Sequence, residues 1–406
     1  MDADISRVVV VGGGIAGVST VAALRAGGFD GDLTLVDTGE FPYDRPPLSK
    51  EYLAGRRDLK QIALRTPQWY DQQDVRLVNL TAVTALRPAE GAVELAGGRL
   101  LPADRVVLAT GGGAARPPIP GSDGERVHVL REAEDADRLR TVLVPGARLL
   151  VVGAGLIGAE VASTAVDLGC EVVLADPVNP PLAAAVGIDL AAWLHGQHAA
   201  RGIAVVPAGV ESFEPTAAGI AARFSSGHEP RVFDAAVLGV GMVPQTALAV
   251  AAGLETERGI VVDTCQVTSN PAVLAVGDSA RTRRDGLLLP RTEHWEAAQQ
   301  DAARAAATLL GRPAPPATAP WFWTDRHGRH VEAVGRMAEA DQVVIRGSFD
   351  DPAFSVFGLR AGLVVAAAAV DDPTAVRAAR RMIDRRVRID PARLEDPSVN
   401  LRALLR

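Results

Sequence analysis

The sequence predicts an α/β fold with two Rossmann-like dinucleotide-binding domains and a smaller C-terminal α+β domain. Three observations lead to this prediction. A glycine-rich turn follows a β-branched run near the start of the chain, a second such turn begins at residue 153, and a proline-rich stretch at 312–320 precedes the last 86 residues. At 406 residues the chain also exceeds what one hydrophobic core supports, so two or three domains are expected.

The first glycine-rich turn lies between a predicted strand and a predicted helix. Arg7–Val11 is a β-branched run, which is typical of a strand buried on both faces of a parallel sheet. Gly12, Gly14 and Gly17 have the G-x-G-x-x-G spacing. The first allows a tight turn, the second lets backbone approach a pyrophosphate, and the third lets helix pack on strand. A turn that binds nothing is the alternative to a dinucleotide site.

The elements after this turn favour a dinucleotide site. A helix is predicted over Ile15–Ala26, and Leu33–Val36 is predicted to form the next strand. Asp37 lies 20 residues past Gly17, where a carboxylate accepts hydrogen bonds from an adenosine ribose. The predicted elements therefore occur in the order that a Rossmann unit requires, which is strand, turn, helix, strand and acid.

A second unit of the same kind follows the strand predicted at Leu149–Val152. Its glycine motif runs from Gly153 to Gly158, and a helix and a further strand lead to Asp176, 18 residues after Gly158. The charge of Asp176 would repel a 2′-phosphate, and residues 177–185 offer no Arg or Lys to bind one. The sequence therefore predicts two dinucleotides and favours NAD(H) over NADP(H) in the second site.

Composition and cysteine usage exclude several classes of function. The chain is 48% hydrophobic and 22% charged, has no apolar run of the roughly 18 to 20 residues that a membrane span needs, and starts with acidic residues, so a soluble, cytoplasmic protein is expected. A net charge of −7 argues against a general nucleic-acid binder. Its two cysteines, Cys170 and Cys265, are 95 positions apart, so we expect neither a redox-active dithiol nor a metal site.

A loop after Asp37 makes the function more specific. Phe41–Lys50 contains two adjacent prolines, from which we expect a rigid, non-helical loop that presents Arg45 and Lys50. By its residues alone this is a solvated basic loop. It resembles the R-P-P-L-S-K signature of FAD-dependent ferredoxin reductases, the flavoproteins that serve cytochrome P450 and dioxygenase systems. The resemblance implies that Arg45 contacts FAD and that Lys50 lies beside the flavin ring.

Further segments resemble the same family along the chain. The turn Ala109-Thr110-Gly111 resembles the one that closes the first half of the FAD domain, and Gly277-Asp278 resembles the turn whose aspartate binds FAD. Residues 239–244 resemble the family's G-x-G-x-x-P return to the FAD domain. Residues 291–298 resemble its E-S-W-Q-N-A segment, apart from His294 and Glu296, and open a predicted helix to Leu310 whose N-terminus would face the flavin.

The glycine motifs and the resemblance together define two candidate cofactor sites. The residues assigned to FAD are Gly12, Gly14, Ile15, Ala16, Gly17, Asp37, Arg45, Lys50, Ala109, Thr110, Gly111, Arg131, Gly277, Asp278, Glu293, His294 and Trp295. Those assigned to NAD(H) are Gly153, Gly155, Leu156, Ile157, Gly158, Glu160, Asp176 and Gly241.

Glu160 and Lys50 are the candidate catalytic residues. Glu160 lies two residues beyond Gly158, where an ordinary exposed acid would interact favourably with the helix macrodipole. In the family, a glutamate in the G-x-I-G-x-E context approaches both nicotinamide and flavin and faces the lysine of the first loop. The resemblance therefore implies a Glu160–Lys50 pair at the flavin.

The last part of the chain resembles the C-terminal domain of the same family. The segment 320–325 is similar to the family's P-W-F-W-S-D, whose second tryptophan lies near the flavin and the ferredoxin-docking face. Trp323 is the corresponding docking candidate, and a core aromatic is the alternative. The arginine clusters at 281–284 and 377–388 are either solvated faces or docking sites for an acidic ferredoxin, and Arg283 and Arg284 are the docking candidates.

These features predict an FAD-binding domain at 1–112 and 245–316, an inserted NAD-binding domain at 113–244 and a C-terminal interface domain at 317–406. The architecture is similar to that of glutathione-reductase-like flavoproteins. The resemblance implies an NADH:ferredoxin oxidoreductase. Hydride would pass from NADH to FAD, and single electrons would then pass to a separate iron–sulfur ferredoxin that serves a cytochrome P450 or a Rieske oxygenase.

Two alternatives remain open at this stage. The first is an NADH oxidase, or a rubredoxin- or nitrite-reductase-type reductase, built on the same two nucleotide units. A peroxidase of this fold needs a cysteine in the N-terminal FAD segment, and none occurs before Cys170. The second is a nucleotide-sensing flavoprotein resembling apoptosis-inducing factor, in which FAD and NAD(H) set conformation and turnover is incidental.

Overall fold

The computed structural model describes residues 5–225, 227 and 229–405, which divide into two compact units. Unit 1 comprises the described residues within 1–45, 57–113 and 242–317, and unit 2 those within 46–56, 114–241 and 318–406. The partition into three domains stays a prediction. Among the described residues, none of the helices has both the length and the apolar character that a membrane crossing requires.

The secondary structure alternates strands and α-helices around the two glycine-rich turns and consists of runs of consecutive strands elsewhere. The strands are β1 (Arg7–Val11), β2 (Asp32–Val36), β3 (Val75–Val78), β4 (Val83–Arg87), β5 (Ala92–Leu95), β6 (Leu100–Pro102), β7 (Arg105–Leu108), β8 (Gly112–Ala114), β9 (Val127–Val129), β10 (Arg148–Val152), β11 (Glu171–Ala175), β12 (Ala204–Val206), β13 (Val210–Thr216), β14 (Gly219–Phe224), β15 (Arg231–Phe233), β16 (Ala235–Leu238), β17 (Met242–Pro244), β18 (Ile260–Val262), β19 (Val273–Ala275), β20 (Ala280–Arg284), β21 (Leu287–Leu288), β22 (Trp321–Arg326), β23 (Arg329–Gly335), β24 (Gln342–Arg346), β25 (Phe354–Arg360) and β26 (Leu363–Val370).

The α-helices are α1 (Ile15–Ala26), α2 (Pro67–Gln72), α3 (Ala133–Arg140), α4 (Leu156–Asp167), α5 (Ala183–Val186), α6 (Ile188–Ala200), α7 (Ala247–Ala251), α8 (Trp295–Leu309), α9 (Pro373–Arg385) and α10 (Pro391–Glu395). Short 3₁₀ helices span Pro46–Ser49, Lys60–Ile62, Pro88–Glu90, Gly277–Ser279, Met337–Glu339 and Leu401–Leu405.

Unit 1 is organised around a parallel sheet with the strand order β19-β7-β1-β2-β3. Strand side chains alternate between the two faces of a sheet. Val8 and Val10 therefore pack under α1 and α8, whereas Val9 and Val11 pack against the strands β4–β6 and β18 on the opposite face. The continuous apolar run of β1 is buried from both sides, as expected for a central parallel strand.

Unit 2 contains a second parallel sheet with the strand order β12-β11-β10-β16-β9. Leu150 and Val152 on β10 pack against the antiparallel sheet β13-β14-β15. The second glycine-rich turn thus follows a central parallel strand, in the same local context as the first. The α/β fold class with two Rossmann-like units is confirmed.

The C-terminal part of unit 2 is an antiparallel sheet with the strand order β22-β23-β26-β25-β24. One face packs on α9, α10 and the last 3₁₀ helix, and the other on α5 and α6. Both faces of this sheet are therefore buried, which explains the continuous apolar run of β26.

Two local expectations need correction. The loop that contains Arg45 and Lys50 is not wholly non-helical, because Pro46–Ser49 forms a 3₁₀ turn. The fixed φ of proline suits the first turn of a helix, where its missing N–H costs no hydrogen bond. The helix predicted to open at residue 291 and reach Leu310 is α8, Trp295–Leu309, because His294 has extended φ and ψ angles and forms its N-cap.

Candidate functional site

The first glycine-rich turn is tightly packed against the rest of unit 1. Gly12 has φ +109°, and a Cβ at this position would overlap the carbonyl oxygen of Ala109. A Cβ on Gly17 would likewise overlap the carbonyl oxygen of Gly12. Gly14 is the N-cap of α1, so the first helical N–H groups, those of Ile15 and Ala16 included, lie at the end of β1. This arrangement forms the anion-binding end of a Rossmann helix.

Asp37 closes the same turn from the end of β2. Its Oδ1 accepts a hydrogen bond from the N–H of Gly13 at 2.9 Å, and its Oδ2 accepts one from Gly39 at 3.3 Å. The carboxylate is thereby held beside the glycine motif, 24 positions from Gly13 in the chain. This is the placement that the spacing from Gly17 led us to expect for a ribose-binding acid.

Gly277 brings a late segment of the chain to the same turn. It has φ +69°, and a Cβ on it would lie 2.8 Å from the Cβ of Ala16. Its N–H donates to Oδ2 of Asp301 at 3.3 Å, and burial raises the pKa of Asp301 to about 6. The backbone oxygen of Asp278 accepts a hydrogen bond from Arg291 at 3.3 Å. Asp301 was missed at the sequence level, since a lone aspartate within a helix carries no distinguishing signal.

Arg45 covers the glycine turn of unit 1. A Cβ placed on Gly14 would lie 2.8 Å from its Nη1, and its guanidinium lies 5.8 Å from the ring centre of Tyr43. The adjacent Asp44 accepts a hydrogen bond from the indole N–H of Trp295 at 2.9 Å, which ties this loop to the first residue of α8.

The remaining predicted FAD residues are divided between the units. In unit 1, the Thr110 hydroxyl donates to the carbonyl oxygen of Gln245 at 2.7 Å, the Gly111 carbonyl accepts the Gln245 N–H at 2.9 Å, and Glu293 forms an ion pair with Arg291 at 2.8 Å. Lys50 and Arg131 belong to unit 2, where the backbone N–H of Arg131 donates to Asp135 at 3.0 Å.

The second glycine-rich turn repeats the geometry of the first within unit 2. Gly153 has φ +95°, and a Cβ on it would lie 2.5 Å from the carbonyl oxygen of Gly239. A Cβ on Gly158 would overlap the carbonyl oxygen of Gly153. Asp176 accepts a hydrogen bond from the Ala154 N–H at 2.7 Å, so it occupies the position that Asp37 has in unit 1.

This turn is more open than the first. A Cβ on Gly155 would have no atom of the described residues, beyond its own neighbours, within 4 Å. Leu156 is half-buried and Ile157 is 42% exposed at the start of α4. Gly241 has φ +110°, and its carbonyl oxygen accepts a hydrogen bond from Ala115 at 2.9 Å. Gly155, Leu156 and Ile157, three of the predicted NAD(H) residues, therefore lie at an accessible helix N-terminus.

Glu160 is buried in the first half of α4, with 5% of its surface exposed. Oε2 accepts a hydrogen bond from the Ser49 hydroxyl at 2.5 Å. Oε1 accepts one from the Thr324 hydroxyl at 2.8 Å and one from the Asp325 N–H at 3.2 Å. A buried carboxylate is costly unless it is hydrogen-bonded and paired, and here both oxygens have partners. Glu160 is thus not the exposed helix-start acid that was the alternative interpretation.

Lys50 lies next to this carboxylate. Its Nζ is 3.4 Å from Oε1 of Glu160 and 3.3 Å from Oδ2 of Asp325, and its ammonium group lies 5.6 Å from the ring centre of Trp323. The chain has 42 basic residues, of which Lys50 and Lys60 are the two lysines. A buried lysine in an arginine-rich chain indicates a position where a compact ammonium group is required. The structure brings together the two residues predicted as catalytic.

A hydrogen-bonded chain extends from this pair along β22 and β23. Oδ1 of Asp325 lies 2.6 Å from Nδ1 of His330, whose Nε2 lies 3.1 Å from Oε1 of Glu332. Glu332 in turn accepts a hydrogen bond from the indole N–H of Trp321 at 3.0 Å. Burial lowers the pKa of His330, but the hydrogen bonds and charges of Asp325 and Glu332 outweigh burial, so the pKa is raised above its ordinary value of 6.5.

Several residues of this cluster were missed at the sequence level. Thr324 and Asp325 belong to the segment that resembles the family's C-terminal motif, and that resemblance could have identified them. Ser49 belongs to the segment 45–50 that resembles the R-P-P-L-S-K signature, and that resemblance could also have identified it. His330 had no such signal, because a histidine in a strand has no distinctive spacing.

The docking candidates lie in different environments. Trp323 is half-buried and stacks on Trp321 with ring centres 5.1 Å apart. Arg283 forms a bidentate ion pair with Glu255 at 2.7 and 2.6 Å, which offsets much of its charge, whereas Arg284 is exposed at the end of β20.

Comparison with protein-family models gives two matches. Residues 6–302 match the family described as pyridine nucleotide-disulphide oxidoreductase, and residues 321–405 match the reductase C-terminal domain. The two matches together span most of the chain.

Curated relatives align with almost the full length of the chain. It is 37% identical to the probable ferredoxin reductase CtmF of Castellaniella defragrans over 98% of each chain. It is 36% identical to putidaredoxin reductase CamA of Pseudomonas putida, over 98% of this chain and 96% of that protein. It is also 37% identical to the ferredoxin–NAD(+) reductase component of the anthranilate 1,2-dioxygenase system of Burkholderia cepacia, again over 98% of each chain.

Solved structures show the same fold. The ferredoxin reductase for the CYP199A2 system from Rhodopseudomonas palustris superposes with a TM-score of 0.93 at 29% identity, covering 99% of this chain and all of that one. Putidaredoxin reductase in its covalent complex with putidaredoxin superposes with a TM-score of 0.91 at 34% identity, covering 98% and 97% of the two chains. A water-forming NADH oxidase from Lactobacillus brevis shares the fold at 21% identity and a TM-score of 0.82.

Proposed function

Because this chain belongs to the pyridine nucleotide-disulphide oxidoreductase family, we propose that it is an FAD-dependent NADH:ferredoxin oxidoreductase that supplies electrons to an oxygenase system. One observation carries the proposal. Two complete dinucleotide-binding turns, each closed by an aspartate, occur in a chain whose relatives at 36–37% identity are ferredoxin reductases over their full length.

The residues present fit both cofactors. In unit 1, the N-terminus of α1, the carboxylate of Asp37 and the guanidinium of Arg45 offer donors, an acceptor and a positive charge for the pyrophosphate and ribose of FAD. In unit 2, the open N-terminus of α4 and Asp176 offer the same groups to NADH. When bound, FAD supplies the conversion of a two-electron hydride donor into single electrons.

The properties of the two cysteines support electron transfer from the cofactor to the acceptor without a protein disulphide. Cys170 is buried, and burial raises the pKa of its thiol, so it is a poor thiolate nucleophile. Cys265 lies 95 positions away, and both are free cysteines. The disulphide chemistry that gives the family its name has no counterpart here, which favours a separate iron–sulfur protein as the acceptor.

Asp176 supports NADH rather than NADPH as the electron donor. Its two carboxylate oxygens accept the N–H groups of Ala154 and Val178, both at 2.7 Å, which fixes the negative charge at the end of β11. A 2′-phosphate at the ribose would therefore meet an oriented like charge.

Lys50 and Glu160 are proposed to orient the reacting nucleotides and to control the local charge. Glu160→Gln removes the charge and keeps the shape, and Lys50→Gln removes the ammonium group. We expect either variant to slow flavin reduction by NADH at least about tenfold in stopped-flow experiments. Lys50→Gln leaves the buried charge of Glu160 without its ion-pair partner, and Glu160→Gln leaves Lys50 paired with Asp325 alone.

Lys60→Gln is the matched control for the lysine variant. Lys60 is the other lysine of the chain and is exposed, so its removal is expected to leave the rate unchanged. Wild-type rates in both Lys50→Gln and Glu160→Gln would show that the pair has no role in the NADH half-reaction.

Trp323, Arg283 and Arg284 stay proposals for ferredoxin docking. The bidentate pairing of Arg283 with Glu255 weakens the case for that arginine, and exposure favours Arg284. The proposal also includes the division into FAD-binding, NAD-binding and interface domains, and a cytoplasmic location, which subcellular fractionation would test.

Two measurements test the proposed function as a whole. NADH should reduce the flavin rapidly in a stopped-flow experiment, and cytochrome c reduction should become fast only when putidaredoxin, the probe ferredoxin, or the native ferredoxin is added. Rapid oxygen consumption without any ferredoxin would instead indicate an NADH oxidase. Slow reduction with a long-lived charge-transfer complex, and no stimulation by either ferredoxin, would indicate a nucleotide sensor.

A further inference from the structure

The side-chain network around Lys50 ends at a titratable residue on β23. Asp325 lies between the ammonium group of Lys50 and the imidazole of His330. Its Oδ2 is 3.3 Å from Nζ of Lys50, and its Oδ1 is 2.6 Å from Nδ1 of His330. Both Asp325 and His330 are about 41% exposed, so His330 can exchange protons with solvent while Lys50 is 89% covered.

We propose that His330 is a pH-responsive positioning residue. Through Asp325, its protonation state sets how strongly Lys50 is drawn away from its ion pair with Glu160. The inference rests on the proposed function, because it gives a role to the charge of Lys50 in the NADH half-reaction. His330 itself need not contact either cofactor.

The shared carboxylate explains the coupling. When His330 is neutral, the full charge of Asp325 acts on Lys50 in addition to that of Glu160. When His330 is protonated, its imidazolium forms a charge-assisted hydrogen bond with Oδ1 of Asp325 and offsets the charge that Lys50 experiences. Lys50 is then balanced mainly by Glu160, and its positive charge is less neutralised.

The other groups around His330 favour its protonated form. Oε1 of Glu332, also on β23, lies 3.1 Å from Nε2 of His330. Asp371, next to β26, accepts the backbone N–H of His330 at 2.9 Å and is paired with Arg329 at 3.0 Å. Glu160 acts through Lys50 from α4. The imidazole therefore lies between two carboxylates, and these interactions raise its pKa above 6.5 despite burial.

The direction of the effect follows from charge. Flavin reduction adds negative charge, and a less neutralised Lys50 stabilises added negative charge. Protonation of His330 should therefore accelerate flavin reduction by NADH. Because coupling between two sites is reciprocal, the charge of Lys50 must also shift the titration of His330.

Histidine NMR tests the coupling without reference to turnover. In the flavin-loaded protein labelled at its seven histidines, the His330 signal, assigned by its loss in His330→Gln, should titrate above pH 6.5. Lys50→Gln should raise that pKa by at least 0.3, because a competing positive charge is removed, an estimate that corresponds to about 0.4 kcal/mol. Asp325→Asn should lower it.

His128 serves as an internal control in the same spectra. It lies on β9 near Arg116 and Arg138, and neither of the two variants changes a residue that lines its site. The pKa of His128 should therefore stay constant in Lys50→Gln and Asp325→Asn. A His330 pKa that does not change in Lys50→Gln would overturn the inference, even if ferredoxin reduction is confirmed.

Stopped-flow kinetics supply the second readout. The wild-type rate of flavin reduction by NADH should be at least twofold higher on the acid side of the His330 titration than on the alkaline side, a coupling of roughly 0.4 kcal/mol. His330→Gln can still donate to Asp325 but cannot titrate, so this step in the pH profile should disappear while the alkaline-limit rate is retained. A wild-type profile that persists in His330→Gln, or a reversed slope, would refute the positioning role.

Discussion

The two glycine-rich turns share their backbone geometry but differ in what covers them. In both, a positive-φ glycine packs on a carbonyl oxygen, and an aspartate from the next strand accepts an N–H of the turn. The turn in unit 1 is covered further by Arg45 and by Gly277. A Cβ added to Gly14 would meet Arg45, and a Cβ added to Gly277 would meet the Cβ of Ala16. In contrast, Gly155 in unit 2 has open space in front of it as far as the described residues extend.

This difference matches the roles proposed for the two sites. Segments that close over a site from the same chain slow the release of whatever is bound, whereas an open helix N-terminus permits rapid exchange. The same local motif can thus serve a permanently bound FAD and an exchanging NADH. The distinction comes from Arg45 and Gly277, which lie 28 and 260 positions beyond Gly17 in the chain. It does not come from the motif itself.

Alanine substitution of the two positive-φ glycines should break each site separately. In Gly12→Ala and Gly153→Ala, the new Cβ meets a carbonyl oxygen at a backbone conformation that only glycine adopts easily. We expect strain and displacement of the turn to cost roughly 3 kcal/mol, about 100-fold in cofactor affinity. Gly12→Ala should be purified with little flavin, as measured by the ratio of flavin to protein absorbance.

Gly153→Ala serves as the matched variant in the other unit. It should retain its flavin but bind NADH weakly in a titration. The NADH concentration at half-saturation should rise by about 100-fold. Loss of the same cofactor in both variants would contradict the assignment of one nucleotide to each turn.

Removal of the two aspartates should give smaller effects. A hydrogen bond to a charged group contributes about 1.5–3 kcal/mol, so we expect changes of roughly 10- to 100-fold. Asp176→Ala should raise the KM for NADH and reduce discrimination against NADPH, because the like charge is gone. Asp37→Ala should weaken FAD retention and leave the ratio of NADH to NADPH activity unchanged in steady-state assays. A change of nucleotide preference in Asp37→Ala would reverse the two assignments.

The smallest expected effect concerns pH and Asp301, which accepts the N–H of Gly277. Its folded-state pKa of about 6 exceeds its ordinary value of 3.8, so folding favours the protonated carboxyl. The resulting stabilisation is fully present below about pH 4 and is lost as the pH rises through about 6. The Asp301→Asn variant has a neutral side chain at every pH, so it should lose less stability than the wild-type protein between about pH 4 and pH 6. We expect the temperature of flavin release to differ between the two proteins by about 2–4 °C over this interval.

Asp234 offers a control of opposite sign in unit 2. Its hydrogen bonds with Arg148 lower its pKa, so its stabilising contribution is present at neutral pH and is lost as the pH falls. Asp234→Asn should therefore reduce stability at neutral pH and flatten its decline in acid, as measured by thermal unfolding. Identical pH profiles for the two asparagine variants would show that Asp301 is not held as a raised-pKa acid.

The sequence predicted the parts of the site that depend on local spacing. Gly12 and Gly14 lie between β1 and α1, and Gly17 lies in the first turn of α1, because the G-x-G-x-x-G interval matches one turn and the start of a helix. Asp37 and Asp176 follow from the length of a helix and a strand. The extent of the 3₁₀ turn at Pro46–Ser49 was not predicted, because two prolines are compatible with either an extended loop or the first turn of a helix.

Only the tertiary structure determined the surroundings of Glu160. Ser49 and Thr324 lie 111 and 164 positions from it in the chain, and no local pattern encodes contacts at such distances. Resemblance supplied Lys50 as a partner, but the sharing of Asp325 between Lys50 and His330 appeared only in the fold. The physical reason is that backbone turns depend on neighbouring residues, whereas the pairing of a buried charge depends on whichever side chains the packing of distant strands and helices brings within hydrogen-bond distance.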